Sequence, residues 1–257
     1  MDKSNFRHFI FLLLTLVLSI PFYILGTVFP VKGLPFGLTI NFLMIFIPFL
    51  LSLIYAWKEN GAKGIVFLFK SILDIKRAGR WSVLFCVLCM PITALLAFFT
   101  MEIFSFPLPA DAGIPYKVIP LMLVLYFLGA IPEEFGWTAT LTGPFTVKYG
   151  PVRTGILIGG VWALWHIIPW SQAHPAWWVA GMCLLNLLMR TAMVYAYMYG
   201  GKSLFSGLVF HTMINVSMSS FPVYGSYMNT WIFSLWMAVL LFLEVLFIKR
   251  TGKNFKN

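Results

Sequence analysis

The chain reads as long apolar runs broken by short polar stretches. Eight runs are long enough to cross a bilayer, or nearly so: residues 8–28, 37–57, 81–101, 117–141, 154–171, 177–199, 204–221 and 229–248. They predict an all-α, polytopic membrane protein of about eight transmembrane helices, built as a single integral membrane domain over 1–257. The fifth and seventh runs are short for a full span, and short polar-bearing spans tend to line a protein interior. The first run follows Lys3 and Arg7 in the manner of a signal peptide. It continues well past a typical apolar signal region without a small-residue cleavage site, so it is expected to be a retained helix. Between the second and third runs lies "KENGAKGIVFLFKSILDIKRAGR" (58–80). Its apolar centre is too short to span and is flanked by lysines, which predicts an amphipathic helix lying in the membrane interface.

Composition supports this picture. Of 257 residues, 60% are hydrophobic and only 10% charged, where a soluble domain would carry about a quarter. The net charge of +10 does not point to nucleic acid, because the basic residues cluster in short loops between apolar runs. With the N-terminus inside and the runs alternating, all of the 18 Lys and Arg residues except Lys32, Lys117 and Arg190 fall on the inner side. That asymmetry predicts both termini in the cytoplasm of a multi-pass cell-membrane protein. Cys86, Cys89 and Cys183 lie in apolar runs and are expected to pack among helices, without a disulfide framework.

Ionisable groups inside a bilayer cost at least about 2.5–3.5 kcal/mol each and default to function. Here they are Glu133 and Glu134 in the fourth run, His166 in the fifth, Arg190 in the sixth and His211 in the seventh, where the neutral amide Asn215 joins the polar set. Glu244, near the end of the eighth, is expected to snorkel to the surface. A rise of 1.5 Å per residue puts Glu133 about 12 Å, His166 about 18 Å, Arg190 about 14 Å and His211 about 11 Å from the inner side, within one layer. Spacing by four places His211 and Asn215 on one helix face, and Trp162 and His166 on another. Glu133 and Glu134 point about 100° apart, so they have different neighbours. Two adjacent carboxylates oppose each other's ionisation, so at least one must be protonated or paired. For each lone histidine or asparagine, the simpler alternative is an interhelical hydrogen bond.

A buried carboxylate can act as general base toward water, with a histidine beside it to hold the water or move its proton. A second histidine and an amide can donate to a developing oxyanion. These parts suit peptide-bond hydrolysis at the membrane by activated water. Other chemistries fit less well. The Gly-x-Ser string in "GKSL" (201–204) sits at a turn, Asp2, Asp74 and Asp111 lie in loops or tails, and His-Glu-x-x-His is absent. The string "GGKS" lacks the earlier glycine of a phosphate loop, having Ala196 there, and the glycosylation string at Asn215 lies within a span. No metal is expected. Zinc or iron on two histidines and a carboxylate stays open as an alternative, although Asn215 would be a poor ligand.

The strings "EEFGW" (133–137), "WALWH" (162–166) and "HTMIN" (211–215) resemble, in order and spacing, the three motifs of the CAAX protease and bacteriocin-processing family, also called Abi. Those motifs are Glu-Glu-x-x-x-Arg, Phe-x-x-x-His and His-x-x-x-Asn, and the resemblance covers roughly 120–220. It implies that Glu133 and His166 activate water, that His211 and Asn215 form an oxyanion hole, and that Glu134 orients. Eukaryotic relatives remove the tripeptide after a prenylated cysteine, while bacterial ones look like peptide-processing, immunity or regulatory proteins. Trp162 stands for the motif phenylalanine and keeps an aromatic wall. Thr138 stands for the motif arginine and cannot replace its charge. Glu134 must then be protonated or find another cation, and Arg190 is the arginine available within a span.

Three functions follow as alternatives. The first is a glutamate-type, metal-independent intramembrane endopeptidase acting on a membrane-associated, prenylated or leader peptide. The second is an inactive relative that serves as a membrane scaffold or regulator, with Thr138 as the mark of lost activity. The third is a transporter or proton relay, for which broken-helix repeats are missing. The expected partners are a peptide or lipid-modified protein and the bilayer, with no nucleic acid; the sequence leaves oligomeric state open.

Overall fold

A computed structural model describes residues 3–29, 40–110 and 112–251, with side chains from Phe6 onward. Asp2, Lys32, Asp111, Lys253 and Lys256, used above in placing charge, lie outside the described residues, as does the side chain of Lys3. The fold is all-α. Helix α1 is Lys3–Val28, and a 3-10 turn, Ile40–Ile45, leads into α2, Phe46–Ser71. The single turn α3 (Ile75–Ala78) precedes α4 (Arg80–Ile103) and α5 (Ile119–Glu134). A π-helical segment, Phe135–Thr142, joins α5 to α6 (Gly143–Ser171). Then come α7 (Ala176–Tyr199), α8 (Leu204–Ser220) and α9 (Thr230–Arg250).

Among the described residues, six segments are long and apolar enough to cross a membrane, which makes this a multi-pass membrane protein. Six differs from the expected eight for two physical reasons. Helix α8 has 17 residues and falls just short, and the fourth and fifth runs are joined in one helical stretch, Ile119–Ser171, of 53 residues. That stretch is not straight: Gly150 leaves the helical region (φ 76°, ψ 168°) immediately before Pro151. Helix α2, which continues past the second run, also bends, at Asn60 and Gly61 (φ 57°), so the lysine-flanked apolar stretch begins a new helical direction there.

The bundle has an apolar outer face and a largely apolar interior that also encloses its ionisable cluster. Leu13, Leu95, Phe99, Leu128, Leu164 and Leu235 face outward, whereas Glu134, Arg190 and His211 are buried. Helix α7 is the central post: 72% of its apolar window is buried, against 28–33% for the other spans. It packs most extensively on α6, then on α9. Two glycines let α6 approach. A Cβ on Gly155 would lie 2.5 Å from the Cα of Thr191, and one on Gly159 3.0 Å from the Cβ of Arg190. This small-x-x-x-small face brings the α6 backbone against α7 at the level of Arg190.

Polar side chains finish the helix ends and tie the bundle. Asn229 caps α9 by accepting from the Trp231 and Ile232 amides (3.1 and 3.3 Å). Ser203 caps α8 by accepting from the Phe205 amide (3.2 Å) and donates to the Asp74 carbonyl (2.9 Å). Trp165 of α6 donates to Ser19 (2.7 Å), and Tyr23 donates back to the Trp165 carbonyl (2.8 Å), fixing α1 to α6.

Candidate active site

The site begins where α5 ends. Glu133 and Glu134 are its last two residues, and the backbone then widens into the π-helical segment, a feature that recurs at functional sites. The hydroxyls of Thr140 and Thr142 donate to carbonyls five residues back, Phe135 and Trp137 (2.8 and 2.7 Å), and so follow the wider turn. The two glutamates point apart into different surroundings.

Glu134 is fully buried and completely engaged. Arg190 of α7 grips it with both terminal nitrogens, Nη1 to Oε2 and Nη2 to Oε1, each at 2.9 Å. This planar two-point clamp is the strongest form of carboxylate pairing. His211 of α8 donates from Nδ1 to Oε1 at 2.8 Å, since a carboxylate oxygen can only accept. Thr138 adds a short hydrogen bond from its hydroxyl to Oε2. Glycine at 207 makes room for this, because a Cβ there would meet Thr138 Oγ1 at 2.8 Å. Position 138 therefore gives a hydroxyl donor, while the cation comes from a helix 56 residues further along. Arg190, 0% exposed, neither snorkels nor caps a helix end.

Glu133 sits beside this cluster with two indole donors. Trp162 Nε1 donates to its Oε2 at 2.9 Å, and Trp137 Nε1 reaches the same oxygen at 3.3 Å. Oε1 is left without a protein donor among the described residues. Trp162 is the hub. Its ring lies 4.3 Å from the Arg190 guanidinium carbon, 5.6 Å from the His166 ring and 5.3 Å from the His211 ring. His166 donates from Nδ1 to the Trp162 carbonyl (2.8 Å) and is held between Trp165 and Trp170, with ring centroids at 4.8 and 5.0 Å. In the neutral ring, that bond leaves Nε2 as the acceptor.

Glu133, Trp162, His166, His211 and Asn215 all line one cavity of about 530 Å³. Arg190, Glu134 and Thr138 form its backing. The remaining wall includes Phe42, Leu125, Trp170, Met182, Ile214 and Met218, so the chamber is apolar with a few convergent polar groups. Two residues enter that sequence reasoning missed. Trp137 is the second donor to Glu133, recoverable from its spacing of four. Asn186, 1% exposed, lines the cavity one turn before Arg190, and its amide nitrogen has no partner among the described residues. A neutral amide in an apolar run gives little signal of its own. Among the described residues, no group of three or more His, Cys, Asp or Glu side chains is placed to hold a metal ion.

Membrane-length helices with ionisable side chains converging on an internal chamber define a multi-pass membrane protein with a buried carboxylate–histidine site. Residues 115–217 match the family model of the Rce1-like type II CAAX prenyl endopeptidases. The matched segment contains all three motif strings and both ends of the Glu134–Arg190 pair. No curated protein matches the chain.

Proposed function

We propose that the protein is an intramembrane endopeptidase that hydrolyses a peptide bond of a membrane-associated substrate, such as a prenylated or leader peptide, with water activated by Glu133. The observation that carries this reading is the division of labour between the two glutamates. Glu134 is saturated by Arg190, His211 and Thr138, whereas Glu133 keeps one oxygen facing a chamber shared with His166, His211 and Asn215. In this mechanism a water hydrogen-bonded to both Glu133 Oε1 and His166 Nε2 gives up one proton to one of the two, keeps the other, and attacks the scissile carbonyl through its oxygen. His211 and the Asn215 amide donate to the oxyanion that forms. No metal takes part in these steps. The proton on Glu133 or His166 then passes to the leaving amine. The apolar wall supports a lipid-modified or apolar peptide segment as the occupant.

The scaffold alternative rested on the missing motif arginine. Arg190 supplies that charge from α7, which removes its main ground. Orientation follows the basic residues: we place both termini in the cytoplasm. The 53-residue stretch crosses twice around Gly150 and α8 completes eight crossings, with the helical turns after Gly61 lying in the interface. The test is hydrolysis by the purified protein. Reconstituted wild type is incubated with a farnesylated Cys-a-a-X reporter and with a panel of apolar leader peptides, beside Glu133→Gln. Products from wild type that fall by at least about 10³-fold in Glu133→Gln are expected. Products undiminished in that variant would refute the role of Glu133.

A further inference from the structure

Glu244 of α9 does not snorkel. It is 7% exposed, and its Oε2 is buried with no hydrogen-bond partner among the described residues. It forms no ion pair with any of them. The titratable groups around it are Cys86 and Cys89 of α4 and Tyr195 and Tyr199 of α7, none of them basic. Lys249 and Arg250 on its own helix are exposed at the helix end, about 8–9 Å further along at 1.5 Å per residue.

The carboxylate lies in a groove of about 310 Å³ between α4 and α9, floored by α7 and apart from the catalytic chamber. Two exposed apolar ridges flank it. Trp81, Leu84 and Leu88 follow helical spacing on α4, and Leu243 and Phe247 do so on α9. A groove this size takes a side chain, while ridges spaced this way take the flank of a third helix. An unpaired carboxylate in an apolar setting is costly, and a cation facing it would repay that cost. We propose that this face docks a transmembrane helix of a partner membrane protein, which places a Lys or Arg side chain against Glu244. The inference is independent of catalysis.

The test uses the full chain, acceptor-labelled, in phosphatidylcholine vesicles, with a donor-labelled poly-leucine helix carrying one lysine two turns from the end that meets Lys249 and Arg250. Energy transfer is titrated for this helix and for its all-leucine parent. The lysine helix is expected to bind wild type at least about tenfold more tightly than the parent, and Glu244→Gln to abolish the difference. The comparison of the two helices on wild type needs no variant to fold. Equal binding of both helices to wild type overturns the proposal, and so does a preference that survives in Glu244→Gln. Phosphatidylethanolamine held by wild type but not by Glu244→Gln in native mass spectra, without a lysine preference, also overturns it and assigns the groove to a lipid amine.

Discussion

At the scale of single residues, the centre of the molecule is one carboxylate held by three donors from three segments. Removing the cation should be the costliest change. Arg190→Ala leaves Glu134 buried and uncompensated, and is expected to destabilise by about 3–5 kcal/mol in thermal denaturation in detergent. Glu134→Gln combined with Arg190→Ala should cost less than Arg190→Ala alone, because the orphan charge is gone. Thr138→Val removes a hydrogen bond to a charged group and should cost about 1.5–3 kcal/mol, while Thr138→Ser should be near neutral. Trp162→Phe restores the family's residue yet deletes the indole donor to Glu133. Its expected effect is a fall in kcat of about tenfold or more with KM little changed, read on whichever peptide wild type cleaves. The glutamates, histidines and Asn215 were legible in the sequence because charge is so scarce that each ionisable residue stands out. Arg190 was legible for the same reason. Trp162's donor, Asn186 and the burial of Glu244 were not, since each depends on what a neighbouring helix presents.

At the scale of elements, positions matter through helix contacts that side-chain chemistry alone does not reveal. Helix limits were readable from hydropathy to within a few residues, for example Arg80–Ile103 against 81–101 and Ala176–Tyr199 against 177–199. The π-helical segment was not, because a shift from four- to five-residue bonding leaves no mark in the hydropathy of so short a stretch. Nor was the joining of α5 to α6, because the stretch with Lys148, Pro151 and Arg153 between the fourth and fifth runs reads as a loop, yet it stays helical apart from the change of direction at Gly150. The close approach of α6 and α7 carries its own prediction. Gly159→Leu would push a side chain into the Arg190 Cβ and the Leu187 backbone, and should cost about 1–3 kcal/mol. Because it also displaces Arg190, activity should fall further than an equally destabilising change at a lipid-facing site. Paired assays of melting and turnover on both variants would measure this.

At the scale of the whole molecule, the distribution of charge carries the orientation proposed above. Single cysteines at Lys117 and Lys202, in a background with the native cysteines replaced, should label with a membrane-impermeant maleimide from opposite sides, Lys202 from the cytoplasm. Labelling of Lys117 from the cytoplasm and Lys202 from outside would reverse the orientation proposed above, and labelling of both from one side would refute an odd number of crossings between them. The number of crossings was only partly legible, because a run of marginal length such as α8 is defined by the protein it packs against rather than by its own hydropathy.

The distance along the chain between Glu134 and Arg190 also bears on how the protein is made. Their 56-residue separation means that the ribosome delivers the acid well before its base. At ordinary synthesis rates of about 5–20 residues per second, Glu134 waits roughly 3–11 s, while the helices between them emerge and insert. During that interval the acid must shelter in the insertion machinery, under a chaperone or in its uncharged form. Nascent chains halted before residue 190 should therefore be held back or degraded, while those halted just after α7 has cleared the exit channel should settle into the bilayer. A motif arginine at 138 would have arrived together with its glutamate, so moving the cation to α7 turns a local pairing into a checkpoint on membrane assembly.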